Sequence, residues 1–168
     1  MGNVFYLCSE NIYPYAMVNF TGTYDCKVDA KGRIMLPAAF RRQMGEVDTY
    51  RFVIKKDLYV QCLELYAAEE WESLNEKIHK NVKYFNPEHR QLLRDFRMGA
   101  TEVECDPAGR ILIPGRLLKQ AEIANETVLS GQYGKIEIWS PTLYHNSGGD
   151  EKARQDRFER IMGDTSFN

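Results

Sequence analysis

Polar and apolar residues alternate with period two from Tyr24 to Val28, and a short apolar run from Ile34 to Leu36 then closes at Pro37. Alternation of this length marks a half-buried strand, because successive side chains leave a strand on opposite faces. Between the two segments lies Asp29-Ala30-Lys31-Gly32-Arg33. Gly32 supplies the positive φ of a tight hairpin turn, with Lys31-Gly32 as its central pair. Asp29 is placed to accept backbone amides across that turn, and it stands four residues before Arg33, close enough to pair with it. Pro37 suits a first helical turn and predicts a helix over Ala38–Met44. The plan recurs downstream with an alternating Thr101–Cys105, a turn at Ala108-Gly109, a strand Arg110–Ile113, Pro114, and a helix over 116–121.

The recurrence is close. Residues 29–37 and 106–114 share Asp, Gly, Arg, Ile and Pro at an offset of 77 with no gap. Further on, Tyr50–Lys55 and Tyr59–Tyr66 are predicted strands around Lys56-Asp57, and Glu126–Ser130 and Lys135–Trp139 are predicted strands around 131–134. Leu63-Glu64-Leu65-Tyr66 matches Ile136-Glu137-Ile138-Trp139 at an offset of 73. One supersecondary unit, strand–turn–strand–helix–strand–turn–strand, is therefore built twice. A unit of that size buries little surface alone, so two units are expected to pair their sheets around one barrel-like core.

The segments outside the repeat read as helices. Trp71, Leu74 and Ile78 fall at helical spacing within 67–81, while Glu69, Glu70 and Glu72 read as a solvated face. Pro87 opens a second helix reaching about Gly99, with Leu92, Leu93, Phe96 and Met98 as its apolar residues. Both helices join the units, and their apolar stripes are expected to pack in the core. Ser140-Pro141 opens a further helical turn, and 146–149 is a break. Residues 150–162 are charged, with Phe158, Ile161 and Met162 as the apolar face, a marginal helix without a partner. Residues 164–168 are expected to be disordered.

Two copies of Asp-x-Lys/Ala-Gly-Arg-Ile-x-x-Pro in matching frames resemble the MraZ family of bacterial transcription regulators. The resemblance runs from about Met17 to Trp139 and includes Gly22-Thr23-Tyr24, Glu70-Trp71 and Gly99-Ala100-Thr101-Glu102. It implies tandem AbrB-like swapped-hairpin modules, each with a D-x-x-x-R signature, here Asp29…Arg33 and Asp106…Arg110. The fold class expected is mostly β with short helices (α+β), a double-split β-barrel with linking helices. The expected division is an N-terminal extension (1–16), a first module with its linking helix (17–86), a linking helix with the second module (87–141), and a charged tail (142–168). The resemblance further implies a DNA-binding regulator of the division and cell-wall gene cluster, including its own promoter. It would act as a ring-shaped homo-oligomer in the cytoplasm, associated with the nucleoid. Residues 1–16 precede the resemblance, and either a leader from an upstream start codon or an extension that packs its aromatics on a neighbour accounts for them.

Composition narrows the picture. The 168 residues carry a net charge of −2, which argues against a generic polybasic nucleic-acid binder. Any DNA-binding face must therefore concentrate its cations. Lys27, Lys31, Arg33, Arg41 and Arg42 lie within sixteen residues that hold one acid, Asp29. The four cysteines form no C-x-x-C pair and the three histidines lie in separate segments, so neither metal nor cofactor is expected. Cys26 and Cys105 read as reduced, small apolar strand residues. No apolar run reaches membrane-spanning length, and the N-terminus lacks the basic start of a signal peptide. Phosphate-loop, dinucleotide, serine-elbow and zinc-protease motifs are absent, so an enzyme is not expected.

The candidate chemistry is double-stranded DNA recognition. A β-hairpin presents side chains to a groove, where Arg to guanine is the commonest specific contact. Lys31, which the second copy replaces with Ala108, reads as a DNA contact, with a solvated lysine as the alternative. Arg33 and Arg110 suit either DNA or the register of the hairpin. Lys27, Arg41 and Arg42 suit phosphates. Asp29, Gly32, Asp106 and Gly109 are expected to hold the turns, since carboxylates repel phosphate. Few cations per chain mean few phosphate contacts, and an oligomer on repeated short sites would restore affinity by avidity. The alternative is an antitoxin-like or other protein-interaction module working through the acidic tail.

Overall fold

In the computed structural model, which describes residues 18–45 and 49–163, each hairpin and helix grows from the punctuation seen in the sequence. The first half gives β1 (Thr23–Lys27), β2 (Arg33–Met35), α1 (Ala38–Gln43), β3 (Arg51–Lys56), β4 (Leu63–Ala67) and α2 (Ala68–Asn81). The second half gives α3 (Pro87–Arg97), β5 (Thr101–Glu104), β6 (Arg110–Leu112), α4 (Gly115–Gln120), β7 (Glu126–Gly131), β8 (Lys135–Trp139), α5 (Pro141–Ser147) and α6 (Glu151–Met162). Pro37 and Pro114 occupy the N-cap positions of α1 and α4. Asn86 caps α3 by accepting from the Glu88 and His89 amides, and Asp150 caps α6 by accepting from Ala153. The proposed leader 1–16 and the segment 164–168 lie outside the described residues.

The halves exchange strands. One antiparallel sheet runs β1-β7-β8-β4-β3-β5, and β2 pairs with β6 in a separate two-stranded ribbon. The first strand of each half thus pairs with the third strand of the other. Ile34 lies opposite Ile111, and Glu64 lies opposite Glu137. These are the residues that the two repeat offsets equate, so both self-pairings mark one internal two-fold axis. Single bridges at Val28–Ile34 and Cys105–Ile111 tie the ribbon to the sheet, so the strands do not close as a continuous barrel. The architecture is α+β, with more residues in helices than in strands because α2, α3 and α6 are long.

The main core is shared. Leu36, Phe40, Phe52, Ile54, Leu63 and Leu65 from the first half meet Ile111, Ile113, Leu117, Leu129, Ile136 and Ile138 from the second. Phe40 from α1 sets its ring edge-on to Phe20 and Tyr24, at 5.6 and 5.0 Å. The opposite sheet face carries two smaller clusters, Val53–Tyr66–Trp71 under α2 and α3, and Cys62–Val128–Trp139 under α5. Trp71 and Phe96 stack at 5.1 Å and face inward, but Leu92 of α3 and its C-cap Met98, expected in the core, are 52% and 68% exposed. Burial pushes the thiols of Cys26, Cys62 and Cys105 upward, which leaves them protonated.

The structure departs from the sequence reading in two further places. The expected strand 59–66 begins only at Leu63, because Asp57 Oδ1 accepts the Tyr59 and Val60 amides at 2.6 and 2.9 Å and turns the chain. Glu70 is not solvated. It is 8% exposed and accepts the Val18 amide at 2.8 Å, which ties the start of the described chain to α2.

Candidate nucleic-acid interface

A short polar side chain at the start of each turn organises the two hairpins. Asp29 Oδ1 accepts the amides of Lys31 and Arg33, both at 2.9 Å, and Asp29 Oδ2 accepts from Arg33 Nε at 2.7 Å. Asp106 does the same for Ala108, Arg110 and Arg110 Nε, each at 2.9 Å. The Arg33 amide above all, then the guanidinium and the Lys31 amide, hold the Asp29 carboxyl down to about 2 against the desolvation that opposes them. Asp106 is lowered in the same way, first by the Arg110 amide. Both aspartates therefore serve the turn and stay ionised.

Gly32 and Gly109 take left-handed φ values of 82° and 84°. Each then reaches across the two-fold. The Gly32 carbonyl accepts from Ile113 N at 3.0 Å, and the Gly109 carbonyl accepts from Leu36 N at 2.9 Å. Each turn is thus stitched to the strand of the other half, and the two turns sit at opposite ends of the β2–β6 ribbon.

The ribbon has one buried and one outward face. Ile34 and Ile111 are buried beneath it. Alternation then places Arg33, Met35, Arg110 and Leu112 outward. Arg33 lies across from Leu112, and Arg110 across from Met35. Both arginines keep about a third of their side chains exposed while bridging their aspartates, 28% for Arg33 and 36% for Arg110. Lys31 is exposed at the first tip, and Ala108 takes its place at the second.

The remaining candidates divide. Lys27 is exposed on β1 but stands opposite Glu126 of β7, which offsets its charge. Arg42 is exposed in the last turn of α1. Arg41 instead covers the second turn: a Cβ on Gly109 would meet its guanidinium at 2.8 Å, and its Nε is buried without a hydrogen-bond partner. Leu118 of α4 covers Gly32 in the equivalent way. Arg41 is thus a packing group over a turn, and Arg42 is the exposed member of the pair.

Two features were missed from sequence. Met35 and Leu112 are apolar strand positions in the sequence, yet they are 48% and 55% exposed. Their parity with Arg33 and Arg110 was the available signal. The second is a buried ionic cluster on the two-fold. Glu64 and Glu137 face each other, and like charges directly opposite are destabilising. Lys55 Nζ donates to Glu64 Oε2 at 2.6 Å, Lys135 Nζ bridges Glu64 Oε1 and lies 3.8 Å from Glu137, and Tyr66 OH donates to Glu64 at 2.9 Å. Burial works against the Lys135 charge, but the two glutamates override it and raise its pKa.

No helix among the described residues is long and apolar enough to cross a membrane. Two consecutive stretches, 19–95 and 96–160, match the family model described as "MraZ protein, putative antitoxin-like". A Christiangramia forsetii protein named transcriptional regulator MraZ is 39% identical over 90% of this chain and 98% of its own length. One of the same name from Flavobacterium psychrophilum is 36% identical over 89% of this chain and 96% of its own. A third, from Desulfitobacterium hafniense, is 41% identical over 76% and 85%. With the family model spanning both halves and relatives matched over nearly their whole length, the chain belongs to the MraZ family.

Proposed function

We propose that the chain is a transcription regulator that binds duplex DNA through its two D-x-x-x-R turns. The observation that carries this is the pairing of β2 with β6, which brings both turns and both arginines onto one outward face. Lys31 and Arg33 at the first tip and Arg110 at the second are the contacts, with Lys27 and Arg42 as flanking phosphate groups. Arg41 contributes through the second turn that it covers. A chain with net charge −2 and so few outward cations binds one site weakly, so a ring-shaped homo-oligomer on repeated short sites supplies the affinity. The relatives' name extends to this chain as regulation of transcription, and the family resemblance adds the division and cell-wall cluster and its own promoter as proposed targets, in the cytoplasm at the nucleoid.

The test compares a duplex from upstream of the chain's own gene with a shuffled duplex, for the full chain and for Lys31→Ala with Arg33→Ala. Tight binding of the native duplex that the double substitution abolishes, at unchanged oligomeric mass, supports the reading. No binding of either duplex at low salt refutes it. A second reading, a partner held through the tail, is favoured by α6, which is exposed along its length with Phe158 67% exposed. Recovery of one stable partner that depends on 150–162, from a chain that binds no duplex, would select it.

A further inference from the structure

Exposed large apolar residues are ordinary when single. Met35 and Leu112 are not single: they are the same position in the two repeats, and they flank the two-fold axis on the face that carries Arg33 and Arg110. Water on two such side chains is a cost that folding leaves in place. A partner that covers them also meets cations at both ends of the ribbon.

The spacing says which partner fits. Gly32 lies beside Ile113 and Gly109 beside Leu36. The two tips are therefore offset by four residues of strand, roughly 13 Å. The major groove of B-DNA is about 12 Å wide, and it is bordered by phosphates on either side. With one tip at each border, the centre of the ribbon lies over the groove floor. Met35, beside Arg110, and Leu112, beside Arg33, are the apolar side chains on that outward face, each one residue from the central Ile34–Ile111 pair. The thymine 5-methyl is the apolar group that a base pair shows there.

We propose that Met35 and Leu112 read base identity, packing on thymine methyl groups in the major groove while the turns at either end hold the backbone. This rests on the DNA reading above and names the residues within that site that discriminate sequence.

The experiment measures affinity across a salt series for three duplexes: native upstream DNA, a shuffled duplex, and the native duplex with uracil in place of thymine, which lacks the 5-methyl groups. The proteins are the wild type, Met35→Ala with Leu112→Ala, and Lys31→Ala with Arg33→Ala, all as full chains. The wild type is expected to lose its preference for the native duplex by about tenfold when thymine becomes uracil. The apolar double variant should start with that loss, respond little to uracil, and keep the wild-type salt slope, whereas the basic double variant flattens the slope. Both apolar side chains are about half exposed, and the uracil comparison requires no substitution. A double variant that retains the native preference and the uracil response overturns the inference while leaving the DNA reading intact. A changed oligomeric mass also overturns it, by assigning the two side chains to contact between copies. A wild type that does not distinguish native from shuffled DNA overturns the DNA reading as well.

Discussion

Replacing Glu64 by Gln removes the negative centre of the ionic cluster beneath the sheet. Glu64 is 4% exposed and Lys55 is 1% exposed, so the substitution leaves a buried ammonium 2.6 Å from a neutral amide. Breaking a buried pair by removing one partner costs about 3–5 kcal/mol, because the surviving charge is uncompensated. In a chain of this size each kcal/mol moves Tm by roughly 2–4 °C, so Glu64→Gln should melt about 6–20 °C below wild type. The Tyr66 hydroxyl keeps an acceptor, and Lys135 keeps Glu137 at 3.8 Å, so Lys55 carries most of the cost. Adding Lys55→Met removes the stranded charge and should recover most of the loss. Thermal and urea unfolding followed by circular dichroism measure both. The reasoning is refuted if Glu64→Gln costs less than about 1 kcal/mol, the range of exposed pairs. It is equally refuted if the double variant is no more stable than the single one.

Four further outcomes follow from the turns and from α1. Gly32→Ala puts a Cβ at φ 82° and 3.2 Å from the Ile113 carbonyl oxygen, which should cost about 1–2 kcal/mol in urea unfolding. Asp29 and Asp106 have folded pKa values below the unfolded one of about 3.9, so their stabilisation is present above that pH and disappears as pH falls toward the folded value, about 2 for Asp29. Melts between about pH 4 and pH 2 should steepen downward in the wild type and flatten in Asp29→Asn with Asp106→Asn. Arg41→Leu, which copies Leu118 of the other half and removes a buried unpaired N–H, should be neutral or stabilising by about 1 kcal/mol and leave the salt slope of DNA binding unchanged. Arg42→Ala should lower that slope by about one.

Much of this fold is legible in the chain because its signals are local and doubled. Gly32 and Gly109 need positive φ, Asp29 and Asp106 need amides two and four residues on, and Pro37 and Pro114 start helices, so hairpin and helix boundaries followed from each copy. The offsets of 77 and 73 anticipated the two-fold once Ile34 met Ile111 and Glu64 met Glu137. Pairing between halves is long-range, and alternation alone does not say that β1 joins β7 or that β5 joins β3. Asp57 shows the local limit: a β-rich stretch lost four residues to one side chain that captured two amides. The candidate site was partly legible for the same reason. The turn that carries Lys31 and Arg33 follows from its Asp and Gly, and the structure forms it. The packing of Arg41 over Gly109 was not, because it links an α-helix of one half to a turn of the other.

The most direct test of the account is to ask which residues touch DNA in the bound complex. A short photo-crosslinker is attached at Ala30→Cys, at Ala108→Cys and, as a control on the far helix, at Glu76→Cys, with each protein bound to the native upstream duplex. Crosslinks from both turns to positions about one groove width apart, with none from α2, are the predicted result. Crosslinks from α2, or from one turn alone, would contradict a reading head built from both turns across the two-fold axis.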